Sequence, residues 1–138
     1  MIVVDTSVWS RAWRRPADRS AVSQAAATLS DLVREKAPVC LPGIVLQELL
    51  SGVRTDLEFQ RFELLLAPFP AIFATREHHV LAAQVFNSCR SKGISTTATD
   101  SLIAATTILS AGQLLTYDND FTHIAKCTSL RVRLLLDP

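Results

Sequence analysis

Hydrophobic positions along the chain fall into two alternating rhythms. Ile2-Val3-Val4 is a short, wholly apolar run that stops at Asp5-Thr6-Ser7, which is how a strand buried on both faces of a parallel sheet reads. The polar triplet can cap a helix, and Val8, Trp9, Ala12 and Trp13 follow at helical spacing. Over residues 18–36 the positions Val22, Ala25, Ala26, Leu29, Leu32 and Val33 keep a helical period, and Pro38 marks the exit. Val39-Cys40-Leu41 predicts a second strand, with Pro42 placed where the first turn of a helix over 44–53 tolerates it. A helix over 56–67 ends at the breaker Pro68-Phe69-Pro70, and Ala71-Ile72-Phe73 is a third strand. The next helix opens at Thr75 or Arg76, runs to about Arg90 and is closed by Gly93. Another covers 97–111 with Gly112 in the C′ position; Leu114-Leu115-Thr116 and residues 130–134 are the fourth and fifth strands.

Short strands alternating with longer helices predict an α/β fold with a parallel sheet and right-handed crossovers. With no repeat, low-complexity tract or linker, residues 1–138 read as a single domain. In such folds ligands bind beyond the carboxyl ends of the strands, so chemistry is sought at the residues that end each strand.

Acids stand at those places. Asp5 directly follows the first strand, and Asp118 follows the fourth after Thr116-Tyr117. Taken singly, the first reads equally well as a helix N-cap and Asp118-Asn119-Asp120 as a polar turn. Glu48 lies on a helix with Ile44, Val45, Leu46, Leu49 and Leu50 around it, which predicts a carboxylate at least partly buried; a Glu reaching water at the rim is the plainer reading. Asp100 opens the helix Thr97 to Ala111 beside Ile103 and Ala104, where the helix dipole alone would favour an acid. Converging carboxylates repel one another unless a cation sits among them, and ligation by oxygen alone suits Mg²⁺ or Mn²⁺. Asp118-Asn119-Asp120-Phe121 lacks the glycine and distal Glu of a calcium loop. Carboxylates holding such ions activate water and neutralise charge in phosphodiester hydrolysis.

These segments carry a resemblance. Val3-Val4-Asp5-Thr6-Ser7, Gln47-Glu48-Leu49-Leu50-Ser51-Gly52, Asp100-Ser101-Leu102-Ile103-Ala104-Ala105 and Leu115-Thr116-Tyr117-Asp118-Asn119-Asp120-Phe121 resemble, in order and interval, the four acidic motifs of the PIN-domain nucleases. At this length the chain is similar to the VapC-type toxins of bacterial toxin–antitoxin pairs. The resemblance implies a three-layer α/β/α domain with a central parallel five-stranded sheet. It further implies a Mg²⁺-dependent endoribonuclease specific for single-stranded RNA, with Mn²⁺ able to substitute, usually a homodimer and held by a cognate VapB-type antitoxin that obstructs the site. By motif position Asp5, Glu48, Asp100 and Asp118 are the catalytic, metal-binding acids. Asp5, Asp100 and Asp118 hold the principal ion, and Glu48 holds a second or orients the water. Asp120 is an additional or outer acid, with Thr6 and Thr116 in support. Tyr117 stands where many members have a basic residue, and Ser101 replaces a common Ala.

Arg11, Arg14 and Arg15 lie three and four apart and share one side of the first helix, an RNA-phosphate surface or else a solvated face. Trp9 and Trp13, also four apart, suit core packing better than a base-stacking or partner surface. Adjacent His78 and His79 cannot face one metal, and neither a GxSxG elbow nor a phosphate-binding glycine loop occurs among only four glycines. Two readings compete with the toxin: a PIN nuclease of RNA maturation, and a non-catalytic module of the same fold binding an ion or a basic peptide.

Composition sharpens this less than position does. The 138 residues are 49% hydrophobic, and the three cysteines match no zinc spacing, so reduced thiols are expected. No apolar stretch reaches the roughly 18 residues a membrane span needs, and Met1-Ile2-Val3-Val4-Asp5 makes no signal-peptide core, which predicts a cytoplasmic protein. The formal net charge of +1 conceals a division: of the 13 acids five are the site candidates, and the eight left face 14 Lys+Arg, a surplus of six. A basic surround around an acidic pocket suits a polyanionic substrate. Apolar residues over 44–67 exceed what one buried face needs, which predicts a dimer contact or an antitoxin groove there.

Overall fold

The computed structural model describes residues 1–13 and 24–136. Five strands, β1 (Ile2–Val4), β2 (Val39–Pro42), β3 (Ala71–Ile72), β4 (Gln113–Thr116) and β5 (Val132–Leu134), form one parallel sheet in the order β3-β2-β1-β4-β5. The helices are α1 (Thr6–Trp13), α2 (Gln24–Arg34), α3 (Gly43–Leu50), α4 (Asp56–Leu66), α5 (Arg76–Ser91), α6 (Ala98–Leu109) and α7 (Asp120–Ala125). They flank the sheet as the expected three-layer α/β/α arrangement requires.

Central position explains why β1 is wholly apolar. Val3 pairs with Cys40 on one side and Leu114 on the other, and Val3, Val4, Leu114 and Leu115 are all fully buried beneath the helices. The chain moves outward from β1 to β2 and β3, then returns to lay β4 and β5 against the opposite edge of β1. That reversal makes the carboxyl ends of β1 and β4 the topological switch point, where open parallel sheets bind ligands. Trp9 locks α1 over the sheet: its indole is buried, its Nε1–H donates to the Val4 carbonyl at 3.1 Å, and its ring meets Phe69 edge-on at 4.9 Å. Trp13 packs on Trp9 and stacks on Phe62 of α4, each at 5.5 Å. Trp9 is therefore a core residue, while Trp13, half-buried, packs on it and keeps part of its ring at the surface.

Several boundaries differ from expectation for local reasons. The helix predicted over 18–36 is described only from Gln24 onward. Helix α3 stops at Leu50, because Ser51 donates its hydroxyl to the Gln47 carbonyl at 2.7 Å and Gly52 turns at φ +82°. Residues read as a polar turn initiate α7, a six-residue helix whose Phe121 and Ile124 are buried. After α6 the left-handed residue is Ala111, at φ 54°, and not Gly112. Gly112 serves a different need, since a Cβ there would lie 2.7 Å from the carbonyl oxygen of Met1, beside which the chain passes into β4. His78 closes a capping box with Thr75, its Nδ1 accepting the Thr75 N–H at 3.1 Å. The three cysteines are free thiols; burial, and next the adjacent Cys127, pushes Cys89 up from the ordinary thiol range. No helix among the described residues is long and apolar enough to cross a membrane.

Candidate metal and active site

Asp5 is the first residue beyond β1 and only 5% exposed. Its backbone N–H donates to the Leu115 carbonyl at 3.0 Å, extending the β1–β4 ladder by one bond. Carboxylate oxygen Oδ2 accepts two hydroxyls, from Ser7 and from Thr116, each at 2.8 Å. Each hydroxyl, its proton given to Asp5, then accepts a backbone N–H: Ser7 from Tyr117 at 3.0 Å and Thr116 from Asp118 at 2.9 Å. One buried carboxylate thereby sets the course of the chain leaving β4. Asp118 continues the relay, its Oδ1 accepting the Asp120 N–H at 2.9 Å and launching α7.

Asp100 arrives from the other side. Thr97 caps α6, its Oγ1 accepting the Asp100 N–H at 3.0 Å, and the buried Ser101 returns its hydroxyl to the Thr97 carbonyl at 2.8 Å. This rigid first turn aims Asp100 at the loop after β4. Carboxylate oxygens of Asp100, Asp118 and Asp120 lie within 4.8 Å of one another. Burial first, and then the neighbouring Asp118, Asp5, Asp120 and Glu48, push the Asp100 carboxyl up to about 6. The other four acids singled out in the sequence thus all act electrostatically on Asp100.

Two expectations change. Glu48 is exposed rather than partly buried, because the apolar faces of the short α3 are taken by Val45 and its neighbours while Glu48 turns toward α1. There its Oε1 accepts the Thr6 hydroxyl at 3.1 Å. Among the described residues the trio whose carboxylate oxygens lie within 4.8 Å is Asp100, Asp118 and Asp120; Asp5, which the sequence grouped with the first two, has one oxygen engaged by hydroxyls. Thr116 accordingly supports Asp5 and the backbone of Asp118, not Asp120. Ser7 escaped sequence reasoning, although its place two residues after a strand-ending Asp, inside the first motif, is a signal.

The cluster offers hard carboxylate oxygens, and burial together with repulsion from the other acids raises the proton affinity of Asp100. Both properties fit a divalent ion such as Mg²⁺ or Mn²⁺. Among the arginines expected to meet phosphate, Arg11 is exposed on the last turn of α1 with its guanidinium 4.0 Å from the centre of the Tyr117 ring. Arg14 and Arg15 lie outside the described residues.

The sequence profile of the family described as PIN domain matches residues 2–126. No curated protein matches the chain. Among solved structures, VapBC2 from Rickettsia felis, bound to a DNA fragment from its promoter, superposes with a TM-score of 0.79 at 18% identity, covering 99% of this chain and 100% of that one. FitAcB from Neisseria gonorrhoeae gives 0.73 at 22% identity over 96% of both chains. VapC20 from Mycobacterium tuberculosis, a toxin that cleaves the sarcin–ricin loop, gives 0.61 at 20% identity, over 95% of this chain and 99% of that one. At these identities the superpositions establish a shared fold.

Proposed function

Because the chain belongs to the PIN-domain family, we propose that it is a divalent-metal-dependent endoribonuclease that hydrolyses phosphodiester bonds of single-stranded RNA, and that it acts as the toxin of a toxin–antitoxin pair. The observation that carries this reading is the gathering of the Asp100, Asp118 and Asp120 carboxylates within 4.8 Å of one another, with Asp100 raised to about 6 by burial and by Asp118, Asp5, Asp120 and Glu48. A bound Mg²⁺ or Mn²⁺ would supply Lewis-acid stabilisation of the charge that develops on the phosphoryl oxygens. Asp100, Asp118 and Asp120 would hold that ion, with Asp5 contributing its oxygen not engaged by hydroxyls. Glu48, exposed and steadied by Thr6, is suited to accept a proton from the attacking water. Ser7 and Thr116 keep Asp5 oriented, and Thr97 fixes the turn that carries Asp100.

A surface for the antitoxin is supported by apolar exposure on α4, where Leu57 is 78% and Leu64 72% exposed. Beside them run grooves walled by Trp13, Leu49 and Phe62 and by Leu29, Val33 and Leu65, the shape an amphipathic partner helix fills. The sequence expected this excess over 44–67, and α1 and α2 extend it. VapBC2 is similar in fold and was solved as a complex of this toxin–antitoxin kind. A separate cleft of about 530 Å³ opens between α5, α6 and the start of α3, lined by Ile44, Ala82, Phe86 and Leu102; we assign it to a second copy of the chain.

The test is cleavage of mixed single-stranded RNA by the purified protein. Wild type with Mg²⁺ or Mn²⁺ is expected to cut, whereas chelator, Asp5→Asn and Asp100→Asn are each expected to lower the rate at least 100-fold, about the scale of losing one electrostatic element of a site. Undiminished cutting in chelator would overturn the proposal.

A further inference from the structure

One exposed cation is tied into the network at the strand ends. Arg11 sits one helical turn beyond Ser7 on α1, and both residues grip Tyr117. Ser7 Oγ accepts the Tyr117 backbone N–H at 3.0 Å while donating to Asp5, and the Arg11 guanidinium lies over the Tyr117 ring at 4.0 Å. Side chains on a helix lean toward its N-terminus, which carries the Arg11 head back along α1 toward the strand ends. Tyr117 is bonded to Asp118, a member of the carboxylate trio. A planar positive group is therefore held one residue from the acidic cluster, with its side chain exposed.

This placement suits a phosphate. A guanidinium presents a rigid fork of donors that matches phosphate oxygens two at a time, and it keeps that fork when its flat face rests on an aromatic ring. Stacking also removes rotamer freedom that a long side chain would otherwise lose on meeting its ligand. An attraction to the acids alone would need neither the ring nor the flat geometry.

We propose that Tyr117 is a positioning residue that holds Arg11 at the rim of the acidic pocket, where Arg11 takes the backbone phosphate of a nucleotide next to the scissile bond. The inference rests on the RNA-hydrolysing reading above and adds a specific substrate contact to it. Ser7 fixes the backbone of Tyr117 and thereby the plane on which the guanidinium lies.

The experiment measures binding of a mixed-sequence single-stranded oligoribonucleotide across a salt series in the Asp100→Asn background, which keeps the RNA intact, and KM and kcat in the otherwise wild-type chain. Arg11→Ala is expected to weaken binding about 10-fold and to reduce the salt slope by about 0.7, the value of one single-strand phosphate contact. Its KM should rise several-fold with kcat within about 2-fold. Arg11→Lys should keep the slope and recover part of the affinity. Tyr117→Phe should match the parent, while Tyr117→Leu should weaken binding when Arg11 is present and cost nothing further in Arg11→Ala. A purely structural pair would lower thermal stability and leave the salt slope unmoved. If the parent binds and cleaves RNA and Arg11→Ala leaves the slope unchanged, or if Tyr117→Leu costs the same with and without Arg11, this proposal is overturned alone. A parent that neither binds nor cleaves RNA overturns it together with the reading beneath it. Because Arg11 is exposed, its variants decide the matter even where Tyr117→Leu fails to fold.

Discussion

Asp5 and Thr116 stand 111 positions apart in sequence and share a 2.8 Å hydrogen bond. Thr116→Val removes a hydroxyl that donates to Asp5 and accepts from Asp118, leaving the Asp118 N–H without its partner and the Asp5 carboxylate oxygen with the Ser7 hydroxyl alone. Unsatisfied groups of this kind cost roughly 1–3 kcal/mol. Denaturant unfolding should register that loss, and calorimetric titration should show weaker Mn²⁺ binding because Asp118 is no longer steered. Asp100 carries a pH signature. Its carboxyl, raised to about 6 from 3.8, binds a proton more tightly in the folded chain than in the unfolded one. Its contribution therefore declines as pH rises between those values, and above about 6 the folded metal-free protein holds an uncompensated charge. Asp100→Asn should stabilise the metal-free protein at pH 7.5 by on the order of 1 kcal/mol, after discount for residual solvent, and the gain should vanish near pH 4. A melting temperature that is the same for both proteins across that range would refute the assignment. The acids were legible because a carboxylate just beyond an apolar run is conspicuous. Ser7 was not, since its partner Thr116 becomes a neighbour only when β4 pairs with β1, and the exposure of Glu48 depends on which side of α3 the rest of the chain covers.

At the scale of elements, hydrophobic rhythm revealed all five strands: β1 is wholly apolar, and only Gln113 and Thr116 in β4 and the exposed Arg133 in the edge strand β5 interrupt the apolar runs. Helix α7 was hidden because six residues offer too few turns for a period, and its Asp-Asn-Asp entry reads as a turn. The junction of α6 and β4 gives a paired prediction. Ala111 occupies the left-handed conformation at φ 54°, and Gly112 makes room for the Met1 carbonyl. Ala111→Gly should therefore be neutral or stabilising by up to about 1 kcal/mol, as the strain of a Cβ at positive φ is relieved. Gly112→Ala should destabilise by roughly 1–3 kcal/mol, because the new Cβ meets backbone that cannot step aside. The reverse ranking in urea unfolding would restore Gly112 as the capping residue. Proximity of Gly112 to Met1 is a tertiary fact, which is why sequence alone assigned the glycine to the helix end.

For the molecule as a whole, near-neutral composition divides into an acidic cluster at the sheet's carboxyl edge and a surplus of Lys+Arg elsewhere, beside an apolar band on α1, α2 and α4. Leu57→Asp with Leu64→Asp tests the band. Both side chains are largely exposed, so the unfolding free energy should change by less than about 0.5 kcal/mol. Co-purification with a co-expressed cognate antitoxin should be lost, and retention of the complex would move the partner surface elsewhere. The central claim is that the carboxylates between β1 and β4 form one divalent-metal site. Anomalous diffraction at the manganese edge from crystals of the Mn²⁺-soaked protein tests it most directly. The account predicts a peak about 2.1–2.3 Å from oxygens of Asp100 and Asp118, with Asp120 or Asp5 completing the protein ligands, and no such peak in crystals of Asp100→Asn. A wild-type site without a peak, at Mn²⁺ concentrations that support cleavage, would contradict it.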